Sequence, residues 1–461
     1  MRITVHNLGV IKKAEIDLKP LTILVGPNNA GKTWLVYTLA GILGTYGFNQ
    51  YTSAYLEERV PKAFPPLESA IERILNEGSA TIDLQAFADH YCETYFNNIA
   101  LLAKQWMYNY FSTDSVSFAD LEVSIDLTER KRGLLERVLQ TTLRNEVSVG
   151  QLRQGALLSL LKKEGERNLL IYTSADKLVE EKLPHNIIRD IIRERLINSV
   201  FRLLHRALYP DTQFFPTERA GLVIFPLMGQ LLPLLKDGTF IGPIAHFVDL
   251  MNAIFEVSPL KRKQREEQAQ SHAEIRVYIQ LAELLEKHVL GGKIDFKPEP
   301  EPGREILFKP DEGSSFGISI TSSMIKELTP LVLYLRYLAV PQELLVIDEP
   351  EMNLHPEAQA KLIELLAMLV NAGLNILITT HSPYIIDHLT NLIKAVEHED
   401  KATISNQFFL KNQDAFISKD KVSVYLVENG QAINAIDENG VIDLSTFGTV
   451  SDRISDIYFS L

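Results

Sequence analysis

One short segment near the start of the chain constrains its fold more than any other. A mostly apolar run, Leu21–Val25, leads into a glycine-bounded loop, Gly26–Thr33, with the sequence GPNNAGKT. The loop fits the pattern G-x-x-x-x-G-K-[ST], and it has a buried strand before it and a predicted helix, Lys32–Leu43, after it. A strand, a phosphate-type loop and a helix in this order predict an α/β fold with a parallel sheet.

The same loop predicts a site for a phosphate chain. Glycines let the backbone curl so that several amide N–H groups point at one anion, and the helix that follows adds the positive end of its dipole. Lys32 should reach the β- and γ-phosphates of ATP, and the Thr33 hydroxyl should be a ligand of Mg²⁺. A chance glycine turn is the alternative, and the flanking strand and helix disfavour it. The predicted nucleotide-binding residues are Gly26, Asn28, Asn29, Ala30, Gly31, Lys32 and Thr33.

A second apolar run, Leu344–Ile347, ends in two acids, Asp348 and Glu349. Such runs are common strand ends, but together with a phosphate loop the pair predicts a hydrolytic site. Asp348 should hold Mg²⁺ through water, and Glu349 should orient and deprotonate the attacking water. Lys32 lies near the start of the chain and Asp348 far towards its end, which is too long a separation for one compact core. Something large must therefore be inserted between two halves of the nucleotide-binding domain.

His381 follows a third strand-like run, which begins at Ile376. A histidine at a strand end is more often structural. Its position after the acidic motif and an intervening helix instead favours a contact with the γ-phosphate, whose presence it would report.

Ser322 and Ser323 precede a predicted helix, Ile325–Ala339. Their hydroxyls and amides therefore lie at a positive helix end. A serine N-cap followed by an acid would explain them without any ligand.

Together these four segments resemble the ABC ATPase superfamily, and within it the soluble branch shared by RecF, SMC-type proteins and OLD-family ATPases. The resemblance covers about Met1–Leu43 and Gly317–Leu461. In that family the signature loop of one subunit completes the ATP site of the other, which implies that Ser322 and Ser323 bind the γ-phosphate in trans. The usual signature has glycine after its serine, where this chain has Met324.

The resemblance also implies roles for two further segments. Asn353–Pro356 occupies the place of the family's D-loop, which crosses the dimer interface; a helix start capped by Asn353 is the alternative. The segment Gln213–Gly221 contains a Pro-x-Glu-Arg motif ending at Arg219. Similar segments of OLD-like ATPases lie near the phosphates, where an arginine could neutralise charge. A surface ion pair is the alternative for Arg219.

The predicted fold class is α/β: an ABC-type nucleotide-binding domain with a phosphate-loop sheet core, interrupted by a large, mainly helical insertion. The expected divisions are residues 1–45 and 301–461 for the two halves of the core and residues 46–300 for the insertion, which also contains some strands. Helical spacing in the insertion is shown by Ile99, Leu102 and Trp106, and by Leu157, Leu160 and Leu161. Other predicted features are strands at Leu121–Ile125 and Leu169–Tyr172, a loop at Pro298–Gly303, a turn at Asn439-Gly440 and a final helix near Val450–Leu461.

Bulk composition narrows the functional classes. A formal net charge of -13 argues against broad, non-specific nucleic-acid binding, although basic runs such as Lys261–Lys263 and Arg130–Arg132 could be local patches. The single cysteine, Cys92, excludes an internal disulfide and a zinc site with several thiolates. Because no apolar run reaches the ~20 residues of a membrane span, a cytoplasmic protein is expected.

These features favour an ATP-hydrolysing homodimer, or a higher even-numbered oligomer, that controls a separate effector protein. Resembling ATPases without their own nuclease sit beside a nuclease or toxin in prokaryotic anti-phage systems, and the tail after His381 offers no spaced acids for the two-metal Toprim domain of OLD nucleases. The alternative is a RecF/SMC-like DNA-binding repair ATPase, which would need a basic inner face on the insertion. A transporter subunit would have a short insert and a glycine-rich signature. A scaffold without turnover would not need Glu349.

Overall fold

A computed structural model describes residues 1–147, 158–173, 184–223, 242–297, 305–442 and 456–458. Contacts divide the chain into two compact units. The larger unit comprises Thr4–Ala40, Met107–Leu121 and Thr212–Leu461, and the smaller comprises Met1–Ile3, Gly41–Trp106 and Glu122–Asp211. Residues from Thr212 onward thus group with the larger unit, whereas the sequence placed residues up to 300 in the insertion. The predicted domain boundaries themselves stay a prediction.

The strands alternate with helices along much of the chain. The strands are β1 (Arg2–Leu8), β2 (Ile11–Asp17), β3 (Leu21–Val25), β4 (Ser79–Asp83), β5 (Glu122–Asp126), β6 (Leu143–Val147), β7 (Leu158–Lys162), β8 (Asn168–Thr173), β9 (Thr212–Phe215), β10 (Gly292–Phe296), β11 (Ile306–Pro310), β12 (Phe316–Gly317), β13 (Leu344–Ile347), β14 (Asn375–Thr380), β15 (Val422–Glu428) and β16 (Gln431–Asn434). The helices are α1 (Lys32–Leu43), α2 (Thr45–Leu56), α3 (Pro65–Glu77), α4 (Leu84–Phe111), α5 (Lys131–Gln140), α6 (His185–Leu208), α7 (Arg219–Val223), α8 (Gly242–Phe255), α9 (Pro259–Ser271), α10 (Ala273–Leu285), α11 (Ser323–Tyr337), α12 (Pro356–Asn371), α13 (Pro383–Ala395) and α14 (Lys401–Ser405).

The larger unit is built around one twisted sheet with the strand order β1-β2-β16-β15-β3-β14-β13-β9. Strands β9, β13, β14, β3 and β15 are parallel: Leu344 is opposite both Asn375 and Thr212, and Ile376 is opposite Leu21. Four of these strands, β3, β9, β13 and β14, are buried along their whole length. Continuous apolar runs are what central parallel strands require, because helices cover both faces of the sheet. Parallel pairing also brings the carboxyl ends of these strands to one edge.

Helix α11 precedes β13, α12 follows β13 and α13 follows β14, and all three helices share the apolar core of these strands. The predicted helix Ile325–Ala339 is confirmed, with its bounds shifted to Ser323–Tyr337. Helix α12 begins at Pro356, and its N-cap is His355, whose ring accepts from the Glu357 amide at 3.3 Å. The alternative that Asn353 caps this helix is therefore wrong.

The smaller unit has a four-stranded antiparallel sheet in the order β4-β8-β7-β6. The prediction that Leu160 and Leu161 lie in a helix is wrong, because both belong to β7; Leu157 lies outside the described residues. Residues of β7 alternate between buried and half-buried, and the strand pairs with β6 and β8 on its two sides. The leucine cluster is compatible with helical spacing, and pairing with distant strands decides its conformation.

Aromatic side chains fill much of the core of the smaller unit. Six pairs of rings from α2, α4, α6 and the residue before α3 have their centroids 5.1 to 5.7 Å apart. The residues are Tyr51, Tyr55, Phe64, Tyr95 and Phe201. Aromatic residues bury large apolar areas, so this unit has a core of its own.

Buried cations complete the helix ends of the smaller unit. Lys162 Nζ donates to the carbonyls of Leu139 and Thr141, each at 2.7 Å, where α5 ends. Arg137 donates to the carbonyls of Ala207 and Leu208 at the end of α6. The last carbonyls of a helix have no partner within the helix, and cations there also complement its dipole.

The remaining sequence predictions concern the tail. The turn at Asn439-Gly440 is confirmed, since Ile436 and Ile442 pair as an antiparallel bridge and Gly440 has φ 75°. The loop Pro298–Gly303 and most of the predicted final helix lie outside the described residues. Within the described part of the chain, no helix has both the length and the apolar character that crossing a membrane requires.

Candidate nucleotide site

The candidate site lies at the edge of the large sheet where four parallel strands end. β3 continues into the glycine loop at Gly26, β13 into Asp348 and Glu349, and β14 into His381, while β9 leads to the turn before Arg219. Segments far apart in sequence are neighbours here because their strands are neighbours. In open parallel sheets, ligands bind beyond these carboxyl ends.

The backbone of the loop is shaped by residues with positive φ. Gly26 has φ +154°, and a Cβ there would lie 2.3 Å from the Val427 carbonyl oxygen; Gly31 has φ +100°, and its Cβ would lie 2.6 Å from Ile11 Cδ1. Asn29 also has positive φ, 63°, which asparagine tolerates better than most residues. The loop can therefore keep its close approach to β15 only with glycine at position 26.

Lys32 is the first residue of α1, and it is 4% exposed. Its ammonium donates to the carbonyls of Gly26 and Pro27 at 2.9 and 3.0 Å. Burial lowers the pKa of Lys32, and nearby carboxylates oppose that shift. These carboxylates belong to Glu349, Asp348 and Glu351. The loop thus surrounds a cation that several acids of the site attract.

Asp348 is almost fully buried and holds three hydroxyl groups. Its Oδ2 accepts from Thr33 at 3.3 Å and from Thr217 at 2.9 Å, and its Oδ1 accepts from Thr379. Burial raises the pKa of Asp348, while these hydrogen bonds lower it. The carboxylate is fixed in orientation by residues from three separate segments, and it lies beside the Thr33 hydroxyl.

Thr33 and Asp348 fit a magnesium site. A hydroxyl and a carboxylate, both hard oxygen donors, already face each other at 3.3 Å, and Mg²⁺ is commonly held by one or two such groups together with water and substrate phosphates. Among the described residues, no group of three or more His, Cys, Asp or Glu is arranged to hold a metal.

Glu349 has a strained backbone, with φ 47°. Its amide donates to Thr379 Oγ1 at 2.9 Å, and its side chain, 20% exposed, lies with Oε1 3.4 Å from His381 Nδ1. A non-glycine residue in this region costs on the order of 1–3 kcal/mol and is typical of functional sites. The carboxylate is thus presented towards solvent next to a histidine.

Glu351 is a buried acid that the sequence interpretation missed. Its Oε1 accepts from the Thr380 hydroxyl at 2.5 Å and from the His381 amide at 2.9 Å, and it lies 3.5 Å from His381 Nδ1. Burial raises the pKa of Glu351, and the two hydrogen bonds oppose that shift. The position of His381 therefore depends on Glu351.

Arg219 is 2% exposed and lies behind the two acids of the site. Its guanidinium donates to the carbonyls of Pro216 and Asp348 at 2.8 Å and of Glu349 at 3.0 Å, and it pairs with Glu327 at 2.7 Å. The surface ion pair considered for Arg219 is therefore wrong. Carbonyls and a carboxylate surround the Arg219 guanidinium. Its hydrogen bonds in this structure are therefore made to the protein and not to the predicted phosphate.

Glu327 lies on α11 and is 1% exposed. Burial raises the pKa of Glu327, whereas Arg219 and a hydrogen bond from Asn353 lower it. Arg219 therefore joins the backbone of the hydrolytic acids to α11, and Glu327 joins that helix to the segment predicted as the D-loop. This connection follows from the fold and has no local sequence signature.

Ser322 and Ser323 lie at the exposed start of α11. Ser322 Oγ accepts from the Ile325 amide at 3.4 Å, so Ser322 is the N-cap that the sequence offered as an alternative. Among the described residues, neither serine forms a hydrogen bond with the glycine loop of the same chain. A role in trans stays a prediction.

The structure therefore brings Lys32, Thr33, Asp348, Glu349 and His381 together at one edge of the sheet. It adds Thr217, Thr379 and Glu351, which the sequence interpretation did not single out. Polar residues just after a buried strand are the signal that could have indicated them.

Comparison with known proteins agrees with this geometry. Residues 247–386 match an AAA ATPase domain. This span runs from α8 to the start of α13 and includes both acids and His381. No curated protein matches the chain.

Three solved structures are similar to this chain at low identity. They are an Smc head bound to the C-terminal winged-helix domain of ScpA (12% identity, 94% of this chain and 96% of that chain, TM-score 0.36), an Smc head with an extended coiled coil bound to the C-terminal domain of ScpA from Pyrococcus furiosus (11%, 98% and 98%, 0.37), and the SMC head of Thermotoga maritima (10%, 95% and 98%, 0.32). The predicted α/β fold class with a phosphate-loop sheet core is confirmed by the parallel strands together with the ATPase domain match.

Proposed function

We propose that this chain binds Mg-ATP on the Lys32 loop and hydrolyses it as part of a dimer with two composite sites. One observation supports this most directly. The ends of parallel strands place a buried lysine, a hydroxyl–carboxylate pair suited to Mg²⁺ and a part-exposed glutamate around one loop.

Each residue has a chemical task in this proposal. Lys32 exchanges the carbonyls of Gly26 and Pro27 for oxygens of the β- and γ-phosphates. Thr33 and Asp348 hold Mg²⁺, which supplies charge neutralisation when it is bound. Glu349 accepts a proton from the attacking water, and His381, fixed by Glu351, contacts the γ-phosphate.

Dimer formation would complete each site. The start of α11 carries exposed hydroxyls of Ser322 and Ser323 at a positive helix end, which suits a γ-phosphate from another subunit. ATP would favour the closed dimer only through contacts that exist in that state. Loss of the γ-phosphate removes those contacts, so hydrolysis would let the interface relax.

The decisive variant is Glu349→Gln, which keeps the size of the side chain but cannot act as a base. We expect ATP turnover to fall by about 10²-fold or more while ATP binding and ATP-dependent dimerisation persist. Turnover is measured by phosphate release and mass by light scattering. Glu357→Gln is the matched control, because Glu357 is exposed and, among the described residues, its ion pair is with Lys361. Turnover at the native rate in Glu349→Gln would show that Glu349 is not the catalytic base.

The dimer is tested separately at the start of α11. Ser323→Arg places a bulky cation on an exposed position, so it should block ATP-dependent dimerisation without preventing ATP binding to the monomer. A dimer that forms as well in Ser323→Arg as in the native chain would contradict the trans contact.

We further propose that the dimer controls a separate effector protein, a nuclease or toxin, in anti-phage defence. The support is the resemblance of the motifs, together with a smaller unit that has its own core and could carry a partner. Glu349→Gln protein, trapped with ATP and expressed with the products of neighbouring genes, should co-purify with such a protein. Recovery of DNA without a protein partner would instead favour the RecF/SMC-like alternative.

A further inference from the structure

A cavity of about 780 Å³ lies within the smaller unit, and no residue of the nucleotide site contributes to it. Its walls come from α6, from the end of α5 and from β6. Pockets that bind small molecules have volumes of about 300–1,000 Å³, so a compact ligand would fit.

Arginine dominates the charged lining of this cavity, in a chain whose net charge is -13. The arginines are Arg137, Arg144, Arg195, Arg202 and Arg206. Glu194 is the acid among the described lining residues. Four of these arginines are exposed and Arg137 is half-buried, so an acidic protein concentrates cations in one solvent-accessible concave region.

Helix α6 presents three of these arginines along one face. Arg195, Arg202 and Arg206 are separated by seven and four residues, a spacing that places side chains on the same side of a helix. Like charges four residues apart repel each other. Among the described residues, none of the three forms an ion pair with a carboxylate within 4.0 Å. The three guanidinium groups are therefore not engaged in ion pairs among the described residues.

Polar groups between the arginines are held in place. Asn145 of β6 donates to the hydroxyl of Ser199, a buried residue of α6, at 3.3 Å. Arg137 is fixed by the carbonyls at the end of α6, and the Arg202 guanidinium lies 5.8 Å from the centre of the Phe48 ring. The lining of the cavity thus combines an amide and a hydroxyl that are held in place with several guanidinium groups.

We propose that this cavity binds a compact ligand with two or more phosphate groups, at a site other than the Lys32 loop. Guanidinium groups form paired hydrogen bonds with phosphate oxygens and stay charged at any physiological pH. Several arginines spread along α6 and β6 match a ligand with several phosphate groups better than a ligand with a single phosphate. The Asn145 and Ser199 groups would recognise a polar part of the ligand.

The test uses the full chain carrying Lys32→Ala, so that the loop site does not contribute. Inorganic tripolyphosphate is titrated calorimetrically at physiological ionic strength, and binding is compared after Arg195→Gln and Arg202→Gln are introduced together. Loss of charge-assisted hydrogen bonds should weaken affinity by about 10-fold or more. Arg132→Gln is the control, because Arg132 is 92% exposed, pairs with Glu136 and does not line the cavity.

Two further measurements decide the chemistry. Arg202→Lys keeps the charge but loses the planar fork, so tripolyphosphate affinity should fall less than with Arg202→Gln. Single-stranded oligonucleotides of about 6 and about 16 nucleotides are titrated in parallel. No binding of tripolyphosphate, or binding unaffected by the Arg195 and Arg202 changes, would overturn the proposal. Binding of oligonucleotides alone, stronger with length, would also overturn it and assign the arginines to a nucleic-acid backbone.

Discussion

Two lysines, one in each unit, are buried with similar hydrogen-bond partners, but the proposed function gives a role to only one of them, Lys32. Lys32 and Lys162 are 4% and 1% exposed, and the ammonium group of each donates to backbone carbonyls of a nearby turn. Burial lowers the pKa of both. The local hydrogen bonds of a buried lysine therefore do not reveal its role.

The wider surroundings separate the two lysines. Three acids that follow the distant strand β13 attract Lys32, whereas the acids near Lys162 are Glu166 and Glu164 of the adjoining turn. Lys32 lies in a loop whose glycines adopt positive φ, and this loop is the proposed phosphate site. Lys162 lies at the end of α5. The two lysines therefore differ in the distant segments that converge on them and not in their local hydrogen bonds.

The largest expected effect comes from Lys32→Ala. Removing the cation from the loop should lower ATP turnover by about 10³-fold or more, because it stabilises charge on the transferred phosphate. Nucleotide binding should weaken as well, while cooperative unfolding remains. ATP affinity is measured by calorimetry. An undiminished affinity would contradict the phosphate-loop interpretation and would leave Lys32, like Lys162, without a role in nucleotide binding.

Arg219→Ala should destabilise the larger unit. It leaves the Glu327 carboxylate buried and unpaired, which costs about 3 kcal/mol or more of the free energy of unfolding. The double change Arg219→Met and Glu327→Leu should restore much of that stability but not turnover, because the carbonyls of Asp348 and Glu349 still lack their donor. Urea unfolding and phosphate release are measured together. Native turnover in the double variant would limit Arg219 to a stabilising role.

A pH-dependent effect is expected from the smaller unit. His205 is fully buried; its Nε2 donates to the Leu43 carbonyl at 2.9 Å, and burial lowers its pKa to about 4. Between pH ~6.5 and ~4 the unfolded chain therefore binds more protons than the folded one, so stability falls as pH falls, by about 3 kcal/mol in all. His205→Gln, which can still donate to Leu43, should show a shallower loss in urea unfolding across this range. An unchanged pH slope would show that other groups cause it.

The smallest expected effect is that of Lys162→Met. The carbonyls of Leu139 and Thr141 lose a donor, which should cost about 1–2 kcal/mol of unfolding free energy. ATP turnover per folded molecule should stay within about twofold of the native value. A large loss of turnover with unchanged stability would show that Lys162 is not the structural counterpart of Lys32.

Much of the fold was predictable because the larger unit obeys local rules. The strands Leu21–Val25 and Leu344–Ile347 and the helix Lys32–Leu43 have the bounds that their apolar patterns predict. The smaller unit was harder to predict. Its short strands depend on antiparallel pairing, in part between segments far apart in sequence such as β4 and β8. The local leucine spacing therefore predicts a helix where the structure has β7.

The sequence by itself determined the glycine loop, the buried strands and the polar residues that follow them, because glycine, apolar runs and strand-end acids act through local backbone chemistry. Only the tertiary structure decided that Thr217 and Thr379 hold Asp348, that Glu351 fixes His381, and that Arg219 joins the site to Glu327. These partners lie on different strands and helices. Their contacts depend on strand order and helix packing, which no local pattern of residues specifies.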